Sequence, residues 1–284
     1  MAIRTVVTRG FGNGTFNGTI ALVTLRGYTS AAVSGPAALE EIVTASESGN
    51  VTSITLTLAG APSSGELLVI AVEMRQNDGA FTFPTGFTQV ANISGSRGEN
   101  EMAFKISDGT EGTGYTVTYS GTAARMTAGM WVFSGIESDP LDVFDPVGPS
   151  GVDVITAGPT AEIAQADSVA VMEGAHFATS GGWDASPAPS FGGSASNSGA
   201  VDDAVVAVSG QVAGAYSHAF MTSTGTVSGT TRTHATGSLS QRMHGIVAIF
   251  KATEVVAAAV TADRIQIGAH GVLMGNNPIG IRSL

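Results

Sequence analysis

The chain contains no cysteine, which excludes disulfide frameworks, thiolate metal sites and cysteine nucleophiles together. Charge is scarce as well: only 12% of the 284 residues are Asp, Glu, Lys or Arg. Long helices cover their solvent faces with Glu, Lys, Arg and Gln, and this chain seldom supplies them. Basic residues are the rarer kind, 12 against 23 acidic, for a net charge of −11. Nucleic-acid binders displace counterions with clustered Lys and Arg, so no direct contact with nucleic acid is expected. Long apolar runs are missing too. The longest late one, Val255 to Val260, is far short of the ~20 residues that a membrane helix needs, so no membrane partner is expected. The opening residues, Met1 to Val7, show no apolar core followed by a small-residue cleavage site, and no export signal is expected.

What is present in quantity is Gly (38 residues) together with Ser, Thr, Ala and Val. Thr and Val favour pleated, half-buried surfaces, and Gly punctuates the turns between them. At this length a domain buries about three quarters of its unfolded surface, enough for a core without covalent staples. The composition therefore predicts an all-β protein.

Three stretches follow from the pattern. Residues 1–36 form a head in which Arg9-Gly10-Phe11 is echoed by Arg26-Gly27-Tyr28, with Asn13-Gly14 and Asn17-Gly18 between them. Asn-Gly suits the positive φ angles of a two-residue hairpin turn, so the head reads as a β-hairpin or paired arms. Residues 37–252 carry the main body. Ile54 to Leu58 alternates apolar and polar, as a strand with one wet face does, whereas Leu67 to Val72 is continuously apolar, as a strand covered on both faces must be. Met102 to Ile106, Tyr115 to Tyr119 and Met130 to Phe133 complete the set. Residues 253–284 form an extended tail containing Ile265 and Ile267.

The body repeats itself. Asn100 to Ser107 lines up with Asp202 to Ser209, Arg125 to Phe133 with Arg242 to Phe250, and Asp167 to Met172 takes the role of Glu66 to Ala71. The expectation is a two-sheet β-sandwich, jelly-roll-like, of about eight strands in two pseudo-repeated halves, with two adjacent sandwiches as the alternative. Pro140 to Ala166 is expected to be the crossover, and both ends of the chain are expected to be extended arms.

The run Arg9 to Ile20 resembles the opening of a group of phage and prophage proteins. Residues 62–142 resemble a second group, found in phage structural and bacterial surface proteins. The residues that carry this likeness are Gly65-Glu66-Leu67-Leu68-Val69, Pro84-Thr85-Gly86-Phe87-Thr88, Asp108-Gly109-Thr110-Glu111 and Ser134 to Asp142; Gly245 to Lys251 also matches. The resemblance implies a jelly-roll sandwich used for attachment, with no catalytic residues to carry over, located in a virion assembled in the host cytoplasm.

Gly10 to Thr15 lacks the last Gly of a dinucleotide loop and has no Lys-Ser/Thr end, so it reads as a hairpin. Asp139, Asp142 and Asp145 recur every third residue, yet they lack the loop that holds calcium; solvated turn residues are the plainer reading. None of His176, His218, His234, His244 and His270 has a second ligand at i+2 or i+4, and a structural role is expected for them. No cofactor is implied. Phe81, Phe83 and Phe87, with Trp183 and Phe191 in the corresponding loop, either plug the open end of the sandwich or stack on glycan or a protein partner.

The resulting expectation is a non-enzymatic capsid-surface decoration or head-associated protein. It would be a homo-oligomer, a trimer, bound to other virion proteins such as the major capsid protein. Arg9, Phe11, Phe16, Arg26, Tyr28, Ile265 and Ile267 would make the assembly contacts, since a lone short hairpin is barely stable and wants a partner. The alternative is a tail or fibre module that binds host glycan through the aromatic loops. A polysaccharide hydrolase would need paired carboxylates about 5–10 Å apart, a distance that sequence does not measure.

Overall fold

A computed structural model of the chain describes residues 37–95, 98–150, 154–177, 190–198, 201–208, 212–232 and 242–254. All of them fall within one compact unit, Ser34–Val255. The expected head at 1–36 and nearly all of the expected tail lie outside the described residues.

The described residues contain strands and no helix. The first half runs β1 (Ala38–Val51), β2 (Ser53–Thr57), β3 (Leu67–Met74), β4 (Phe81–Thr82), β5 (Thr88–Gly95), β6 (Gly98–Ile106), β7 (Gly114–Tyr119) and β8 (Ala124–Ser134). The second runs β9 (Ile136–Ser150), β10 (Val154–Ala157), β11 (Val169–Phe177), β12 (Ser190–Gly193), β13 (Val201–Val208), β14 (Val212–Phe220), β15 (Val227–Arg232) and β16 (Arg242–Ala252). The first half forms a five-stranded sheet ordered β1-β8-β3-β6-β5 and a three-stranded sheet β2-β7-β4. The second forms β9-β16-β11-β14-β13 and β10-β15-β12, so adding eight to each label converts one half into the other. Equivalent side chains repeat too. Thr55 and Thr116 share a hydrogen bond (2.8 Å) on the outer face of one half, as Thr156 and Thr230 do (2.9 Å) on the other.

The all-β expectation holds, but the count of about eight strands applies to each half. There are two complete sandwiches of two sheets each. The reason lies in Pro140 to Ala166, which supplies β9 and β10 and is not a crossover. Proline is tolerated on a sheet edge, where its missing N–H costs no ladder bond, and β9 is the edge of its sheet. The repeat also needs one shift. Topology matches β6 with β14, whereas Asp202 to Ser209 falls on β13, the counterpart of β5.

The four sheets stack as three, five, five and three strands. Leu67, Val69 and Ala71 on one face of β3 share a core with Val169, Val171, Ile246, Ala248 and Phe250 of the other half. Leu68, Ile70, Val72 and Met74 on its opposite face pack on Ile54, Leu56, Tyr115 and Val117 of the outer sheet. A matching outer core joins Ala170, Val247 and Ile249 to Ala157 and Val227. Each fully buried Val, Leu, Ile or Phe contributes about 1.5–3 kcal/mol, so these layers are the main source of stability. Because both five-stranded sheets are covered on both faces, β3 and β11 are buried at every residue, whereas β2 and β7 alternate buried and exposed. The seam between the five-stranded sheets sets β5 against β9, β1 against β13 and β8 against β14.

Candidate functional site

The middle of this seam is polar. Glu73 of β3 and Glu173 of β11 lie there with no solvent exposure, as do Thr127, Asn100, Tyr216 and His244. Glu73 Oε2 accepts hydrogen bonds from the Thr127 hydroxyl (2.7 Å) and the Tyr216 hydroxyl (2.7 Å). Asn100 Nδ2 donates to Glu173 Oε2 (2.5 Å), which leaves the Asn100 carbonyl oxygen to accept from His244 Nδ1–H at 3.1 Å. The Glu173 and Glu73 carboxyls, each perturbing the other, link these two sets of contacts across the seam. The residues alternate between the sheets: His244, Asn100, Glu173, Glu73, Tyr216. Three hydrogen bonds therefore cross the seam, and the one from Thr127 stays within a sheet.

Two glycines make room for these contacts. A Cβ at Gly214 would stand 2.3 Å from the Tyr216 hydroxyl and 2.9 Å from Glu73 Oε2, and one at Gly129 would stand 2.7 Å from the Tyr216 ring. Both positions demand the smallest residue because of this close approach.

Burial dominates the electrostatics. It pushes the Glu73 carboxyl up to about 7, against the hydrogen bonds from Glu173, Thr127 and Tyr216 that pull it down. Glu173 is raised well above the usual carboxyl range, first by burial and then by the neighbouring Glu73 charge. Burial and the same Glu73 charge raise Tyr216 well above its ordinary value, which keeps its hydroxyl protonated. Burial lowers His244 to about 4, and the ring is neutral in the fold.

A second buried group lies on the same seam. His218 Nδ1 sits 2.8 Å from both carboxylate oxygens of Asp203, and Trp131 Nε1–H donates to Asp203 Oδ2 at 2.7 Å. Phe133 and Phe220 pack edge-on against the His218 ring, and Trp131 does the same against Tyr216. On the other face of β6, Asn92 Nδ2 bridges Glu99 Oε1 (2.6 Å) and Glu101 Oε2 (3.0 Å). Burial, with the Glu99 charge adding to it, raises Glu101 to about 7.

The residues singled out from sequence are placed as follows. Phe81 is buried, its ring 5.1 Å from Tyr119. Phe83 and Phe87 are half-buried, stacked at 6.3 Å, and Phe87 meets Tyr115 edge-on. All three pack on the outer core of the first sandwich, and Phe191 packs on that of the second. Trp183 lies outside the described residues, as do Arg9, Phe11, Phe16, Arg26, Tyr28, Ile265 and Ile267. Asp139, Asp142 and Asp145 lie along β9; Asp142 Oδ2 accepts from the Ala164 N–H and Asp145 Oδ2 from the Gly158 N–H, each at 2.6 Å. Among the described residues no three His, Asp or Glu converge to hold a metal ion. Asp203, near the start of β13, has its carboxylate buried against His218.

Comparison of the chain with protein-family models, with curated proteins and with solved structures gives no match. The seam was not foreseen from sequence. A signal for it existed: a carboxylic acid set among the apolar residues of Leu67–Met74 and again of Val169–Phe177. Buried acids in such runs need partners, and their partners had to come from the opposite sheet.

Proposed function

We propose that this chain is a non-enzymatic structural component of a bacteriophage particle, a decoration or head-associated protein. In this reading, two jelly-roll-like sandwiches joined back to back form a rigid body, and the terminal segments attach it to its neighbours. The observation that carries the reading is the seam. The acids, imidazoles and phenol that might have done chemistry are spent inside the molecule, where they fasten one half to the other. The inward packing of Phe81, Phe83 and Phe87 weighs against stacking on host glycan. The virion setting draws on the resemblance of Arg9 to Ile20 and of residues 62–142 to phage proteins. Its partners would be further copies of itself, as a trimer, and the major capsid protein.

The test is truncation. Deleting residues 1–36 should lower the oligomer to a monomer by light scattering and remove the protein from purified particles, with the double sandwich still folded. Unchanged assembly and incorporation would end this reading.

A further inference from the structure

The pairing of Glu73 with Glu173 has a consequence that does not depend on any particle setting. The two carboxyls come from opposite sheets and are closed to solvent, and they are brought together because the cross-strand neighbour of Glu73, Asn100, bonds Glu173 while that of Glu173, Tyr216, bonds Glu73. Their outer oxygens are already engaged: Glu73 Oε2 by Thr127 and Tyr216, Glu173 Oε2 by Asn100. The remaining oxygens, Glu73 Oε1 and Glu173 Oε1, are buried and have no donor from any other residue. Two facing acceptors of this kind attract only when a proton lies between them. Without it, two negative charges share a dry space.

The groups around the pair do not relieve that repulsion. β14 contributes Tyr216, a neutral donor, and β16 contributes His244, which is neutral and reaches the pair through Asn100. β6 contributes Asn100 and β8 contributes Thr127, neither of which ionises. Farther along the seam, Asp203 and His218 are already paired with each other. The ion pairs of Lys105 with Glu111, His218 with Asp203 and Lys251 with Glu137 do not include Glu73 or Glu173.

We propose that the seam is a proton-operated joint: a proton kept between Glu73 and Glu173 fastens the two sandwiches, at full strength in acid and progressively less as pH rises. The sign follows from linkage. Both carboxyls bind protons more tightly in the fold than in the unfolded chain. Their contribution is therefore complete below about 4.5 and is lost as pH rises through about 7, where Glu73 titrates. Glu173 is raised as well and adds to the loss. Glu101 titrates in the same window on the other face of β6, so its part must be separated.

The experiment is denaturant unfolding of the full chain from pH 5 to pH 9, beside Glu173→Gln and Glu101→Gln. For the unsubstituted chain, the folding equilibrium constant should fall at least about tenfold per pH unit between pH 5 and 7. In Glu173→Gln a side-chain amide donates to Glu73 without a titratable proton, so the slope should drop by about tenfold per pH unit or more. Glu101→Gln should keep the larger part of the slope. A flat profile in the unsubstituted chain, or the full slope retained in Glu173→Gln, would overturn the proposal. If Glu173→Gln does not fold, infrared spectroscopy of Glu101→Gln decides: a buried, protonated carboxyl carbonyl band should persist at pH 6 and fade as pH rises. Absence of that band at pH 6 would overturn the proposal equally.

Discussion

Gly214 and Tyr216 show how little tolerance the seam has at the level of single residues. Adding one methyl group in Gly214→Ala forces the Tyr216 hydroxyl away from Glu73, and overpacking of this kind costs about 1–3 kcal/mol. Denaturant midpoints of the variant and the parent chain measure it. Tyr216→Phe keeps the ring but deletes a donor to a buried carboxylate. A loss of about 1–3 kcal/mol is expected, with the Glu73 titration moving to higher pH, because a hydrogen bond that lowered it is gone. His244 sets the acid side. Its folded value is below its ordinary one, so its contribution is present above about 6.5 and is lost as pH falls through about 4. Replacing it by Gln should flatten the acid limb of a stability-versus-pH profile while leaving the alkaline limb in place. A profile whose acid limb keeps its slope would refute that assignment.

Whether a strand alternates or is apolar throughout depends on how many of its faces are covered. β2 and β7 carry Thr55 and Thr116 outward to solvent, whereas β3 lies between two other sheets. Leu68→Ala should therefore cost about 2–5 kcal/mol, while Thr55→Ala should stay within about 0.5 kcal/mol. Equal costs for the two would mean that β3 is not an inner strand. These two patterns were legible in the sequence, since alternation and unbroken apolarity are local properties of a few neighbouring side chains. β9 was not legible. Its Pro140 and Pro146 are ordinary loop residues until the strand is known to be an edge, and only the finished sheet supplies that fact. The repeat could be seen at β8 and β16, whose apolar runs are long. It slipped by one strand at β6, because β5 and β6 of one half and β13 and β14 of the other are adjacent strands of similar length.

For the molecule as a whole, each half has its own outer core but relies on the other to cover the seam face of its five-stranded sheet. Residues 37–135 expressed alone would expose Leu67, Val69, Trp131 and Phe133 together with a Glu73 carboxyl that keeps Thr127 but loses Tyr216. An exposed apolar face of that size drives association, so this fragment should self-associate on size exclusion with light scattering; a well-behaved monomer would contradict the layered arrangement. Composition, turn chemistry and local periodicity determined on their own that the chain is all-β, that it repeats, and that certain strands are inner ones. Which sheet faces which, and hence that two acids far apart in the chain meet, was decided only by tertiary structure. The physical reason is range: a pattern of burial is written in neighbouring residues, whereas Asn100 and His244, 144 positions apart, become partners only when two finished sheets close on each other.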